Sequence, residues 1–181
     1  MNNMIADTKD YHQRIQQGKQ IEFKIITALR KNGINIADAT SREDMFDKID
    51  GWIINKLGER QSVQIKYREN GNDIIFELVK DLYRGIPGRD MNCKAENYLL
   101  VNSQGVGKLF KTHEIKYMAS IILNYVKSQM ETMIHRQTKW NSEENKWEAK
   151  ITVDKAEGQC KLMAYMNPSM FTTIGEWKNL I

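Results

Sequence analysis

Ile49–Arg68 reads I-D-G-W-I-I-N-K-L-G-E-R-Q-S-V-Q-I-K-Y-R, a pattern of two short strands joined by a turn. Asp50 opens the first strand, and Gly51, Trp52, Ile53 and Ile54 follow. Asn55–Gln61 holds Gly58 and charged residues and is the turn. Ser62–Arg68 alternates: Val63, Ile65 and Tyr67 fall on one face, Gln64, Lys66 and Arg68 on the other. A Lys among polar residues on one strand, across a hairpin from an Asp, suits phosphate chemistry. It equally suits the solvated face of an edge hairpin.

Upstream, the spacing predicts a helix from Asp10 or Tyr11 to about Asn32, closed by Gly33, with the first ten residues frayed. Ile25, Ile26 and Leu29 follow Glu22 at helical spacing, so Glu22 sits on the buried stripe. A carboxylate there costs free energy unless it is paired or binds a metal, or reaches water at the stripe's edge. Ile34–Ala37 is a short strand. Glu43, Asp44 and Asp47 then gather near Asp50. Four acids can hold a divalent cation or form a solvated, capped loop.

Downstream, Glu69–Asn72 is a turn and Asp73–Val79 a third strand, with Ile74, Phe76 and Leu78 on one face. Three strands joined by short turns predict an antiparallel meander. Asp81–Glu96 is irregular and carries Arg84, Gly85, Pro87, Gly88, Arg89 and Lys94. Such a loop can grip a phosphate backbone or simply be a basic surface. Tyr98–Asn102 is a buried fourth strand. Gly105-Val106-Gly107-Lys108 lacks the first glycine of a phosphate-binding loop and reads as a turn. Thr112 is the expected N-cap of a helix to about Met130, with Ile115, Met118, Ala119, Ile122 and Val126 buried. Lys146–Val153 and Gln159–Met166 are strands flanking a turn at Asp154–Gly158. Phe171, Ile174 and Trp177 in the tail are expected to pack back onto the body.

The chain has 181 residues and a net charge of +4, which suits one α/β (α+β) domain and permits a polyanionic partner. Its core is expected over about residues 10–130, with a C-terminal hairpin and tail at 138–181. No apolar run has membrane-crossing length, and the first ten residues lack a signal core. Cys93 and Cys160 stand apart and read as free thiols, so a cytoplasmic location is expected.

In element order and in its acids, the chain resembles the PD-(D/E)XK nuclease superfamily, the restriction-endonuclease-like fold. The pattern is closest to the Holliday-junction resolvase and Mrr-like branches. Asp50 matches the first strand's Asp, and Gln64-Ile65-Lys66 matches the acid-x-Lys of the next strand. Gly18-Lys19-Gln20-Ile21-Glu22, followed by Leu29–Gly33, matches the helix Glu in its G-x-x-x-E setting. The resemblance covers about Gly18–Val126.

That resemblance implies a Mg²⁺-dependent DNA endonuclease, with Mn²⁺ as substitute. Asp50, Glu22 and the Gln64 carbonyl would be the metal ligands, and Lys66 would hold the attacking water or the scissile phosphate. Arg68, Arg84, Arg89 and Lys94 would contact the nucleic-acid backbone, DNA rather than RNA. A homodimer suits an enzyme that makes two cuts. Gln64 stands where the family usually has an acid, and Glu22 or Glu77 could restore the charge. Asp47 rivals Asp50. The alternatives are a catalytically impaired nuclease-like binding module, or an interaction protein that uses the Trp-containing hairpin.

Overall fold

The first helix, α1, runs Asn2–Lys31 in the computed structural model of the chain, which describes residues 2–133, 139–154 and 159–181. It starts earlier than the pattern predicts. No glycine or proline precedes Gly18, so nothing interrupts the helical hydrogen-bond ladder. Its end is the one expected. Ile34 N–H donates to the Leu29 carbonyl and Gly33 N–H to the Arg30 carbonyl, both at 3.0 Å. Gly33 turns the chain at φ 79°, in the left-handed region. Gly33→Ala should therefore cost about 1 kcal/mol, read as a lower urea midpoint with an unchanged slope.

The chain divides into two compact units. The first comprises Met1–Gly71, Lys94–Phe110 and Thr173–Ile181. Its sheet contains β1 (Ile36–Asp38), β2 (Gly51–Ile54), β3 (Arg60–Arg68), β6 (Asn97–Asn102), β7 (Gly107–Lys111) and β11 (Gly175–Trp177). The strand order is β1-β2-β3-β6-β7-β11. Ile25, Ile26 and Leu29 of α1 share a buried cluster with Val63, Ile65, Leu99, Val101 and Leu109. The face of β3 bearing Val63, Ile65 and Tyr67 is thus the one that α1 covers. The turn expected at Gly105–Lys108 falls earlier, closed by Gly105 N–H on the Asn102 carbonyl, and Gly107 and Lys108 already belong to β7.

The second unit comprises Asn72–Cys93 and Lys111–Thr172. Its sheet holds β4 (Ile74–Asp81), β5 (Ile86–Pro87), β8 (Lys139–Asn141), β9 (Trp147–Asp154) and β10 (Gln159–Met166), in the order β5-β4-β10-β9-β8. Helix α2 (Thr112–Met133) buries Ile115, Ala119, Ile122 and Val126, as the spacing predicts. The Thr112 hydroxyl is buried with no partner within the chain, so it does not supply the expected cap. The turn after Asp154 lies outside the described residues.

One element of the expected architecture is corrected. The antiparallel meander is β1-β2-β3, and the third strand of the expected one, β4, belongs to the other sheet. β4 pairs instead with β10, from Ile74↔Met166 to Val79↔Leu162. Beside β3 lies β6, paired in parallel, Gln64↔Tyr98 and Lys66↔Leu100. Tyr98, Leu99, Leu100 and Val101 are all buried, as an interior parallel strand requires. A Glu-Asn-Gly-Asn turn fixes that the chain reverses, but not which strand it meets afterwards. Mixed α/β architecture with two sheets is the fold class observed. Among the described residues no helix is long and apolar enough to cross a membrane.

Candidate active site

The β2–β3 pairing begins at Gly51↔Val63, and Asp50 precedes it. Asp50 N–H donates to the Val63 carbonyl at 2.9 Å, so Asp50 and Gly51 both stand against Val63, out of the regular register. Strand alternation places Gln64 and Lys66 on one face of β3. The Asp50 carboxylate is oriented by the neighbouring strand: Oδ2 accepts the Ile65 N–H at 2.5 Å.

Gln64 is only 2% exposed, and its Oε1 has no hydrogen-bond partner within the chain. A buried amide oxygen left unpaired costs of order 1–3 kcal/mol. It is the kind of defect that a ligand repairs.

Glu22, on α1, comes near Asp50 and Lys66, while Gln64 is on the face of β3 opposite the one that α1 covers. Burial, then the nearby Asp50 and Asp44 carboxylates, push its pKa from 4.5 up to about 7. The ammonium groups of Lys66 and Lys19 oppose that rise. Burial likewise raises Asp50 from 3.8 to about 6, opposed by the Ile65 N–H and Lys66, and assisted by Asp44. The two carboxyls thus feel one another, and Lys66 acts on both. Gly18 stands one helical turn before Glu22, with no atom within 4 Å of where a Cβ would lie.

The four acids read as one group separate into different roles. Glu43 is taken by a capping box: its carboxylate accepts Thr40 N–H at 2.7 Å, and its own N–H donates to the Thr40 hydroxyl at 3.3 Å. Those bonds hold its carboxyl below the usual range. Asp47 is paired with Lys94 at 2.7 Å. Asp44 lies 3.7 Å from Lys19, and its charge reaches both Glu22 and Asp50. The sequence carried a usable signal for this division, Thr40-Ser41-Arg42-Glu43, a capping-box spacing that commits Glu43.

The remaining candidates lie elsewhere. Arg68 is half-buried on β3, with its Nε enclosed and unpaired. Arg84 belongs to the second unit and stands 3.7 Å from Asp81. Arg89 is exposed there, and its N–H donates to Glu77 Oε1 at 2.7 Å. Glu77 Oε1 thus braces its own loop. Among the described residues no three His, Cys, Asp or Glu side chains gather as a metal site. The neighbouring carboxylates are those of Glu22 and Asp50, oxygen donors of the kind a hard divalent cation takes.

A comparison of the chain with protein-family models, with curated proteins and with solved structures finds no match.

Proposed function

We propose that this chain is a divalent-metal-dependent endonuclease that hydrolyses phosphodiester bonds of DNA, built on a restriction-endonuclease-like core. The observation that carries the reading is the orphaned, buried Oε1 of Gln64, on the strand that also bears Lys66. The raised pKa values of Glu22 and Asp50 support it, because two buried carboxyls that resist ionisation are relieved by a cation between them. Asp50, Glu22 and Gln64 are the ligands in this reading. Bound there, Mg²⁺ or Mn²⁺ would lower the pKa of the attacking water and neutralise charge on the scissile phosphate.

The other work falls to the chain. Ile65 N–H holds Asp50 Oδ2 and leaves Oδ1 to face the cation. Lys66 binds the phosphate oxygen on which charge builds, where a fixed ammonium stabilises the transition state. The open space at Gly18 lets a substrate backbone approach Glu22 without meeting a side chain. Arg68, Arg84, Arg89 and Lys94 add salt-dependent phosphate contacts, Arg84 and Lys94 by exchanging their present carboxylate partners. A homodimer would present two such sites to the two strands, and the cytoplasm would supply Mg²⁺.

A second reading rests on the same residue. Gln64 brings no charge, and a chain with only two carboxylates could bind nucleic acid without cutting it. Plasmid, single-stranded, duplex and branched DNA incubated with pure protein separate the two. Nicked and linear products that need Mg²⁺ or Mn²⁺ are expected. Intact substrate in every lane, with binding retained, would replace the nuclease by the binding module.

A further inference from the structure

The segment between Thr40 and Asp50 is fastened at several points along its backbone. The capping box secures its start. Glu43–Asp47 forms a π-helical turn, a rare conformation found mostly at functional sites. Lys48 closes it in the left-handed region, at φ 58°. That conformation is unfavourable for a residue with a side chain and survives only where the surroundings enforce it. Here they do. The Lys48 ammonium donates to the Met45 carbonyl and approaches the Asp44 carbonyl at 3.5 Å. Ile49 N–H donates to the Glu43 carbonyl at 3.3 Å. Lys94 bonds Asp47 twice, by its ammonium at 2.7 Å and its N–H at 2.8 Å.

What this rigid turn displays is Met45, 61% exposed, and Phe46, 67% exposed. Phe46 stands four residues before Asp50 and Met45 five. Asp44, on the same turn, acts electrostatically on Glu22 and Asp50, so the turn borders the candidate active site. Cations flank it: Lys19 stands at Asp44, Lys94 at Asp47, and both side chains are mostly exposed. An exposed aromatic side chain on a turn with ammonium groups at two of its residues is a surface suited to unpaired bases, by stacking the base and holding its phosphates.

We propose that Phe46, supported by Met45, stacks against an unpaired base next to the scissile phosphate. The preferred substrate is then DNA with single-stranded or splayed bases at the cut, such as a fork or a flap, rather than continuous duplex. A fully paired duplex keeps its bases stacked on one another and offers Phe46 no free face. The inference rests on the nuclease reading for the position of the cut, but the contact itself is a binding property.

The test measures binding in EDTA, without cutting, to a forked oligonucleotide carrying 2-aminopurine at the junction and to a blunt duplex of the same sequence. Wild type should favour the fork and change the 2-aminopurine emission. Phe46→Ala should weaken fork binding by about tenfold or more and leave the duplex unchanged. Phe46→Trp should keep the preference. Leu57→Ala, also highly exposed but on the β2–β3 turn, should change neither.

Equal binding of fork and duplex by wild type, or wild-type fork binding by Phe46→Ala, overturns the proposal. So does a changed sedimentation coefficient in Phe46→Ala with unchanged DNA affinity, which would make the turn a contact between copies of the chain. The nuclease reading fails separately. If fork binding depends on Phe46 but no Mg²⁺ or Mn²⁺ condition yields cutting, the contact stands and the cleavage does not.

Discussion

Lys66→Ala should lower the rate of DNA cleavage by about 10²–10³-fold while leaving Mn²⁺ bound. The ammonium is not among the proposed ligands, so its loss strikes the chemical step. It removes the positive charge placed where the phosphate becomes more negative. Asp50→Asn should behave differently. It deletes a proposed anionic ligand, so cleavage and Mn²⁺ binding should fall together. Calorimetric Mn²⁺ titration beside single-turnover cleavage, both at about pH 8 where the acids are ionised, separates the two patterns. Lys56→Ala, on the exposed β2–β3 turn, is the matched control and should match wild type in both assays. Full activity in Lys66→Ala would remove Lys66 from the mechanism. Unchanged Mn²⁺ affinity in Asp50→Asn would remove the cation site as drawn.

Why the β2–β3 hairpin was readable in the sequence, and the partner of β4 was not, follows from the range of the forces involved. Strand alternation puts Gln64 and Lys66 on one face whatever the rest of the chain does. The hairpin partner is supplied within twenty residues, which brings Asp50 to the start of the same pairing. The Schellman end of α1 is equally local: one glycine and two hydrogen bonds decide it. β4 has the same alternation and the same turn signal before it, but its partner is β10, more than eighty residues later. No local pattern encodes that pairing. The parallel β3–β6 pairing is likewise non-local, though the continuous apolar run at Tyr98–Val101 hinted at a strand buried on both faces.

The acids were legible only as a set. Four carboxylates within eight residues look equivalent in sequence, yet the structure gives each a different partner. Glu43 has Thr40, Asp47 has Lys94, Asp44 has Lys19, and Asp50 has the Ile65 N–H. Lys94 and Ile65 lie outside the segment, so those two assignments required the fold. The isolation of the Gln64 oxygen could not be read from sequence at all, because an unpaired atom is defined by everything that fails to reach it.

Glu22→Gln should raise the melting temperature of the metal-free protein at about pH 8 by roughly 3–6 °C and abolish its stabilisation by Mg²⁺. The sign follows from the proton inventory. Folding raises the Glu22 pKa from 4.5 to about 7 and that of Asp50 from 3.8 to about 6. Between the unfolded and folded values the native state binds more protons than the unfolded one. The associated stability is therefore complete below about pH 4 and is lost as pH rises through 6 and 7. Above that window wild type holds two buried, mutually repelling carboxylates, and each destabilises the fold. Glutamine in place of Glu22 removes one charge and its repulsion with Asp50. The full shift at Glu22 corresponds to about 3 kcal/mol, but partial exposure to solvent reduces the expected gain to about 1–2 kcal/mol. A divalent cation reverses the sign for wild type. It binds only the ionised pair, so Mg²⁺ should raise the wild-type melting temperature above pH 7 and lose that effect near pH 5, with protons released on binding. Melting curves of both proteins from about pH 5 to pH 8, with and without Mg²⁺, read all of these outcomes together. A Glu22→Gln protein no more stable than wild type at high pH, or still stabilised by Mg²⁺, would show that Glu22 neither repels Asp50 nor binds the cation.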